Sequence, residues 1–207
     1  VEFVNWEGGG GSFFEVTAST GNRLNSGEAQ WLPLGSTATA QTFTTIKNFG
    51  VLTNATGCCP FSELVRGPDG TLYGTAPGSE VRGTVFKVNS DGTGFTVLKW
   101  FTNSLDGAYP SGGLTLSGNA LYGTTSAGGS SDRGTVFKVN TDGSGYTVLK
   151  HFARDSSDGA TPLSGLTLSG CALYGTTSEG GSFGFGTVFK FDLSIQLMIQ
   201  LLDGAVV

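Results

Sequence analysis

The sequence predicts an all-β protein assembled from a repeated four-stranded sheet, and three observations carry that prediction. The first is internal repetition: GTVFKV at Gly83 and Gly134 returns as GTVFKF at Gly186, at spacings of 51 and 52 residues. The second is period-2 alternation within that string, which puts Phe86 and Val88 on one face and Val85 and Lys87 on the other. The third is composition. Glycine supplies 35 of 207 residues and charged residues only 13%, a balance suited to many short strands joined by tight turns rather than to helices.

Each repeat reads as four strands in fixed order. GLTLSG opens the unit and ALYGTT follows, with the LYGT core recurring at Leu72, Leu121 and Leu173. GTVFKV is third. The fourth is FTVLKWF from Phe95, YTVLKHF from Tyr146 and a diverged FTTIKNF from Phe43. Between the third and fourth stand Asn89-Ser90-Asp91-Gly92 and Asn140-Thr141-Asp142-Gly143, where Asp-Gly provides the positive φ of a tight hairpin. Four antiparallel strands per ~50 residues is the period of blade-type repeats. A lone four-stranded sheet cannot bury both faces, and stacking sheets face to face removes the problem. The expected fold is therefore a β-propeller-like array of about four four-stranded blades, forming a small or incomplete ring. Residues 43–191 hold the tandem blades. Residues 1–42 form a divergent partial first repeat in which Val1–Asn5 and Ser12–Val16 stand for strands and an insertion of about 20 residues, including Trp31, falls within Thr17–Gln41. Residues 192–207 form a divergent C-terminal strand segment.

At LYGTTSAGG, RGTVFKVNTDGSGYTVLKHF and DGATPLSGLTLSG the chain resembles the GloVer-type (choice-of-anchor) tandem repeat of bacterial surface and secreted proteins, a kelch-like propeller repeat. The resemblance implies an exported or surface-held protein and brings no assigned chemistry or catalytic residues with it.

Charge and composition exclude several functions. A net charge of −5 with 11 Lys+Arg offers no basic patch for phosphates, so no nucleic-acid partner is expected. The longest apolar run, from Ser194 to Leu202, is too short to span a bilayer. Neither a signal peptide nor an initiator Met is visible, which fits a mature form or a fragment. Cys58, Cys59 and Cys171 match no zinc spacing and His151 is the only histidine, so neither metal nor cofactor is expected. The cysteines read as small loop thiols, with a vicinal Cys58–Cys59 disulfide as the alternative.

Shared strings are scaffold, so function is sought where the units differ. The slot between Lys and Phe in the fourth strand holds Asn48, Trp100 and His151, and with Tyr109 it offers aromatic faces for a sugar ring, or ordinary blade-edge side chains. Asp106 and Asp158 in the DGAxP loops carry too few oxygen ligands for calcium and read as turn caps. A serine hydrolase would have to use Ser178 or Ser126 with His151 and Asp155 or Asp158, without any G-x-S-x-G elbow. Glycosidase chemistry would need two facing carboxylates drawn from Glu15, Glu63, Glu80 and Glu179, of which Glu179 replaces Ala127 in a matched loop. The expected function is a secreted or cell-surface binding or structural module for glycans or proteins, able to self-associate through open strand edges. The alternative is a hydrolase or lyase with its site in the axial cleft.

Overall fold

The computed structural model describes residues 3–7, 12–16, 42–49, 57–78, 82–102, 104–153 and 158–194. The chain forms two units, Val1–Thr44 and Thr45–Val207. In the first, strands β1 (Phe3–Glu7) and β2 (Ser12–Val16) make an antiparallel hairpin with Phe3 opposite Val16 and Glu7 opposite Ser12. The described strand thus runs two residues further than Val1–Asn5, because Asn5, Trp6 and Glu7 all find partners. Thr17–Gln41, Glu80, Asp155 and the segment after Ser194 lie outside the described residues.

The second unit is a stack of sheets. The first blade comprises β3 (Val65–Arg66), β4 (Leu72–Ala76), β5 (Thr84–Val88) and β6 (Thr96–Trp100), paired in that order. The second comprises β7 (Thr115–Ser117), β8 (Ala120–Thr125), β9 (Thr135–Asn140) and β10 (Thr147–His151). A short ladder of β11 (Gly159–Ala160) with β14 (Glu179–Gly180) flanks the third blade, whose described strands are β12 (Thr167–Ser169), β13 (Ala172–Thr177) and β15 (Thr187–Asp192). All pairings between these strands are antiparallel. The protein is an all-β, propeller-like array of repeated blades.

The repeated strings explain the sheets. Glycine in LYGT lies directly opposite the phenylalanine of GTVFK in every blade: Gly74 faces Phe86, Gly123 faces Phe137 and Gly175 faces Phe189. A methyl on Gly123 would fall 2.6 Å from the Phe137 ring, so the small residue makes room for the large one. The aspartates of the hairpins close Asx turns. Asp91 accepts from Thr93 N–H (2.9 Å) and hydroxyl (2.7 Å), and Asp142 does the same with Ser144 (2.8 and 2.7 Å).

Each blade has two unlike faces, and the stack joins one to the other. Tyr73, Val85 and Leu98 of the first blade share a core with Leu114, Leu121, Phe137 and Val139 of the second. Tyr122 and Val136 of the second repeat this with Leu166, Leu173 and Leu193 at the third. The fourth-strand segments add a ring contact at each junction and a lysine over a ring at the first two, although residues 42–49, expected to hold a strand, form none. Phe49, Phe101 and Phe152 each meet the GTVFK phenylalanine of the following blade, with ring centroids 5.3, 5.4 and 5.2 Å apart. Lys47 lies over Phe95 at 4.4 Å and Lys99 over Tyr146 at 4.2 Å.

The two edges of a junction differ in thickness. At the first-strand edge, backbones meet: Thr75 and Thr124 hydroxyls donate to the Gly112 and Ser164 carbonyls of the next blade (3.1 and 2.9 Å), and a side chain on Gly112 would collide with the Ser164 carbonyl. At the fourth-strand edge, lysines and aromatic rings stand between the sheets. A wedge of this kind makes successive blades fan about their first strands, the curvature a propeller requires.

The third blade presents the Tyr-Val face with nothing described against it. Val188 is 82% exposed where Val85 and Val136 are fully buried, and Tyr174 is 38% exposed where Tyr73 and Tyr122 are buried. Val136→Ala should therefore destabilise by about 2 kcal/mol, for two lost buried carbons and a cavity, while Val188→Ala should stay within about 0.5 kcal/mol of the parent in denaturant unfolding. Hydrogen bonds from Thr93 and Ser144 hold the Asp91 and Asp142 carboxyls below the ordinary carboxylate range. A depressed folded value means stability that is present above the unfolded value and lost as pH falls through the folded one. Stability should thus decline below pH ~4, and Asp142→Asn should flatten that decline in acid titrations of the melting midpoint.

Candidate functional site

The strand register gathers the variable positions at one end of the blades. Trp100 pairs opposite Thr84, the first residue of β5, and His151 opposite Thr135, the first residue of β9. The chain then passes through Phe101 or Phe152, whose N–H donates to the carbonyl of Gly83 or Gly134 (3.0 Å each), and turns into the Gly-Ala-x-Pro corner of the next blade. Lys99 and Lys150 are engaged by ion pairs with Asp106 and Asp158 (2.7 Å each), and the phenylalanines by the next blade. Between them Trp100 remains 44% exposed, Asn48 is exposed and His151 is half-buried.

The corner has one backbone and three different side chains. Cys59, Tyr109 and Thr161 occupy the same place in successive blades and share left-handed φ values of 58°, 56° and 57°. Such a conformation costs a non-glycine residue free energy and persists only where the surroundings fix it. Tyr109 N–H donates to the Arg82 carbonyl (2.7 Å), and its own carbonyl accepts from the N–H and hydroxyl of Ser126 (3.1 Å each). Thr161 N–H donates to the Arg133 carbonyl (2.9 Å), and its carbonyl accepts from Ser178 N–H (3.2 Å) and hydroxyl (2.9 Å). The Tyr109 and Thr161 corners are each pinned between the preceding blade and their own, and their side chains differ.

Of the residues considered for hydrolysis, Ser178, His151 and Asp158 have the following partners. Ser178 spends its hydroxyl proton on the Thr161 carbonyl. His151 Nδ1 accepts from Ser130 N–H (3.2 Å), which places a neutral ring's proton on Nε2. Asp158 accepts from Lys150 (2.7 Å), Ala153 N–H and Gly159 N–H (3.0 Å each). A triad needs serine donating to histidine and histidine donating to aspartate; the observed bonds run otherwise. Glu179 lies on β14 opposite Ala160, with Arg133 Nη1 4.0 Å away, and Glu63 sits beside Gly113 at the first-strand edge. Glu15 lies on β2 in the other unit. Among the described residues no three His, Cys, Asp or Glu side chains come together as a metal site.

Three features went unread in the sequence. The lysine of TVLK pairs with the loop aspartate, so Asp106 is more than a turn residue, and the matched pairs Lys99–Asp106 and Lys150–Asp158 were the available signal. Ser126 and Ser178 staple the corners. Gly57-Cys58-Cys59-Pro60 is a diverged copy of Gly-Ala-x-Pro, recognisable from its glycine and proline. A cleft of about 380 Å³ between the second and third blades lies at the opposite end, lined by Asn119, Tyr122, Lys138, Cys171 and Leu193 among others, and none of the sequence candidates borders it.

A chain in the crystal structure of a nidogen/laminin complex is similar at 21% identity and a TM-score of 0.44, over 64% of this chain and 43% of that one, so this chain spans less than half the length of that relative. No curated protein matches the chain. The family described as the Gloeobacter/Verrucomicrobia repeat matches residues 4–203. With nearly its whole length matched, the chain belongs to the Gloeobacter/Verrucomicrobia repeat family.

Proposed function

We propose that this repeat protein is a binding module that presents the variable corner and slot residues of successive blades to a glycan. The observation that carries the reading is the invariant corner backbone holding three unlike side chains, Cys59, Tyr109 and Thr161, in one strained conformation. A scaffold that fixes the backbone and varies the side chain places binding groups without paying for their ordering at the moment of binding. At the junction of the first and second blades the two displayed residues, Trp100 and Tyr109, are aromatic and exposed, the chemistry that stacks on sugar rings while phenol and indole N–H reach hydroxyls. A protein surface is the alternative partner for the same groups. The secreted or cell-surface setting belongs to this proposal and rests on the resemblance of the repeat. No helix of the described residues is long and apolar enough to cross a membrane.

Titrating the protein with cello-, xylo- and chito-oligosaccharides while following the heat of binding by calorimetry tests the reading. Binding should weaken about tenfold or more in Trp100→Ala and Tyr109→Ala, a loss typical of a stacked anchor, with the melting midpoint unchanged. Undiminished binding in both variants would remove this face from the account.

A further inference from the structure

One corner carries reactive groups. Where the second and third blades have Gly-Ala-Tyr-Pro and Gly-Ala-Thr-Pro, the first has Gly57-Cys58-Cys59-Pro60. Its backbone has the same shape as the other corners: Cys59 takes the same left-handed φ, and Gly78 N–H donates to the Cys58 carbonyl (3.3 Å) as Ala127 does to Ala108 (3.1 Å). The fold thereby keeps Cys58 half-buried and Cys59 exposed, both as free thiols, with Cys59 Sγ donating to Cys58 Sγ at 2.9 Å. The staple of this corner also differs. Pro77 stands where Ser126 and Ser178 stand, and proline has neither the N–H nor the hydroxyl that those serines give to the corner carbonyl.

We propose that Cys58 and Cys59 are a redox site, a vicinal dithiol that closes to a disulfide by exchange with low-molecular-weight disulfides and reopens with low-molecular-weight thiols. In the first step one cysteine thiolate attacks a sulfur of the incoming disulfide. That S–S bond breaks, one external thiolate leaves and takes up a proton, and a mixed disulfide remains. The neighbouring cysteine, as thiolate, then attacks the protein sulfur of the mixed disulfide and expels the second external thiolate, which takes up the other proton. Two cysteine thiols are oxidised to one disulfide and one external disulfide is reduced to two thiols. The close sulfur pair makes the second step intramolecular, so the mixed disulfide is short-lived. Adjacent residues lie ~3.8 Å apart at Cα across a trans peptide, below the ~4.4–6.8 Å that disulfides favour. The closed form is therefore strained and readily reduced, the behaviour of a switch rather than of a structural bridge. Closure would tie together the one corner that lacks the serine staple.

The full chain carrying Cys171→Ser, which removes the exposed third thiol, should be incubated with oxidised glutathione and followed by intact mass. The expected result is loss of the mass of two hydrogens without a retained glutathione adduct, peptide mapping to a Cys58–Cys59 link, and full reversal by excess reduced glutathione. Adding Cys59→Ser should trap a stable glutathione adduct on Cys58. Retained adducts without hydrogen loss in the parent, no reaction, or a closed form that resists excess reduced glutathione would each overturn the proposal.

Discussion

Everything described in the larger unit depends on one interaction, the burial of the Tyr-Val face of one blade against the Leu-Phe face of the next. A four-stranded antiparallel sheet of short strands has two apolar faces and cannot stand alone in water. The alternation in LYGT and GTVFKV makes those faces different, and so makes stacking directional. Val85 lies under the second blade and Val136 under the third, both fully buried. From that contact follow the glycine opposite each GTVFK ring, the phenylalanine that ends each fourth strand, and the lysine laid over the neighbouring aromatic. The thin first-strand edge and thick fourth-strand edge turn the same contact into curvature.

Stacking also decides where variation is tolerated. Residues facing a neighbour are fixed by it, so diversity is driven to the loop end, where the Lys-x-Phe slot and the Gly-Ala-x-Pro corner leave one residue each without a packing duty. At Tyr109 and Thr161 the corner uses hydrogen bonds from two blades to hold a backbone that its residue would not choose. Among the described residues, Cys59 takes the same conformation with a sparser set of bonds, and the three residues share it despite sharing no chemistry. The same frame therefore serves an aromatic display position at one junction and a pair of thiols at another.

Most of the fold was legible in the sequence because its determinants are local and repeated. Strand order, hairpin turns and the two faces follow from strings such as GTVFKV and Asn-Thr-Asp-Gly, which act within one sheet. The site was legible only as a set of positions. Trp100, His151 and Tyr109 could be singled out because the units disagree there, but their gathering at one end depends on strand register across whole blades. The roles of Ser126, Ser178 and Asp106 depend on partners brought from elsewhere in the fold, such as the Tyr109 and Thr161 carbonyls and the Lys99 ammonium. A serine that staples a strained carbonyl and a serine poised for catalysis look alike in sequence. The direction of the hydroxyl's hydrogen bond separates them.

Native-state hydrogen exchange, resolved by residue, tests the stacking account most directly, because local opening reflects how a strand is covered rather than how it is paired. The second blade has both faces buried and the third has its Tyr-Val face exposed, although β8 and β13 are each paired on both sides with the same registers. Amides of β8 should therefore exchange about tenfold or more slowly than their counterparts in β13. Equal protection in the two strands, or greater protection in β13, would contradict it.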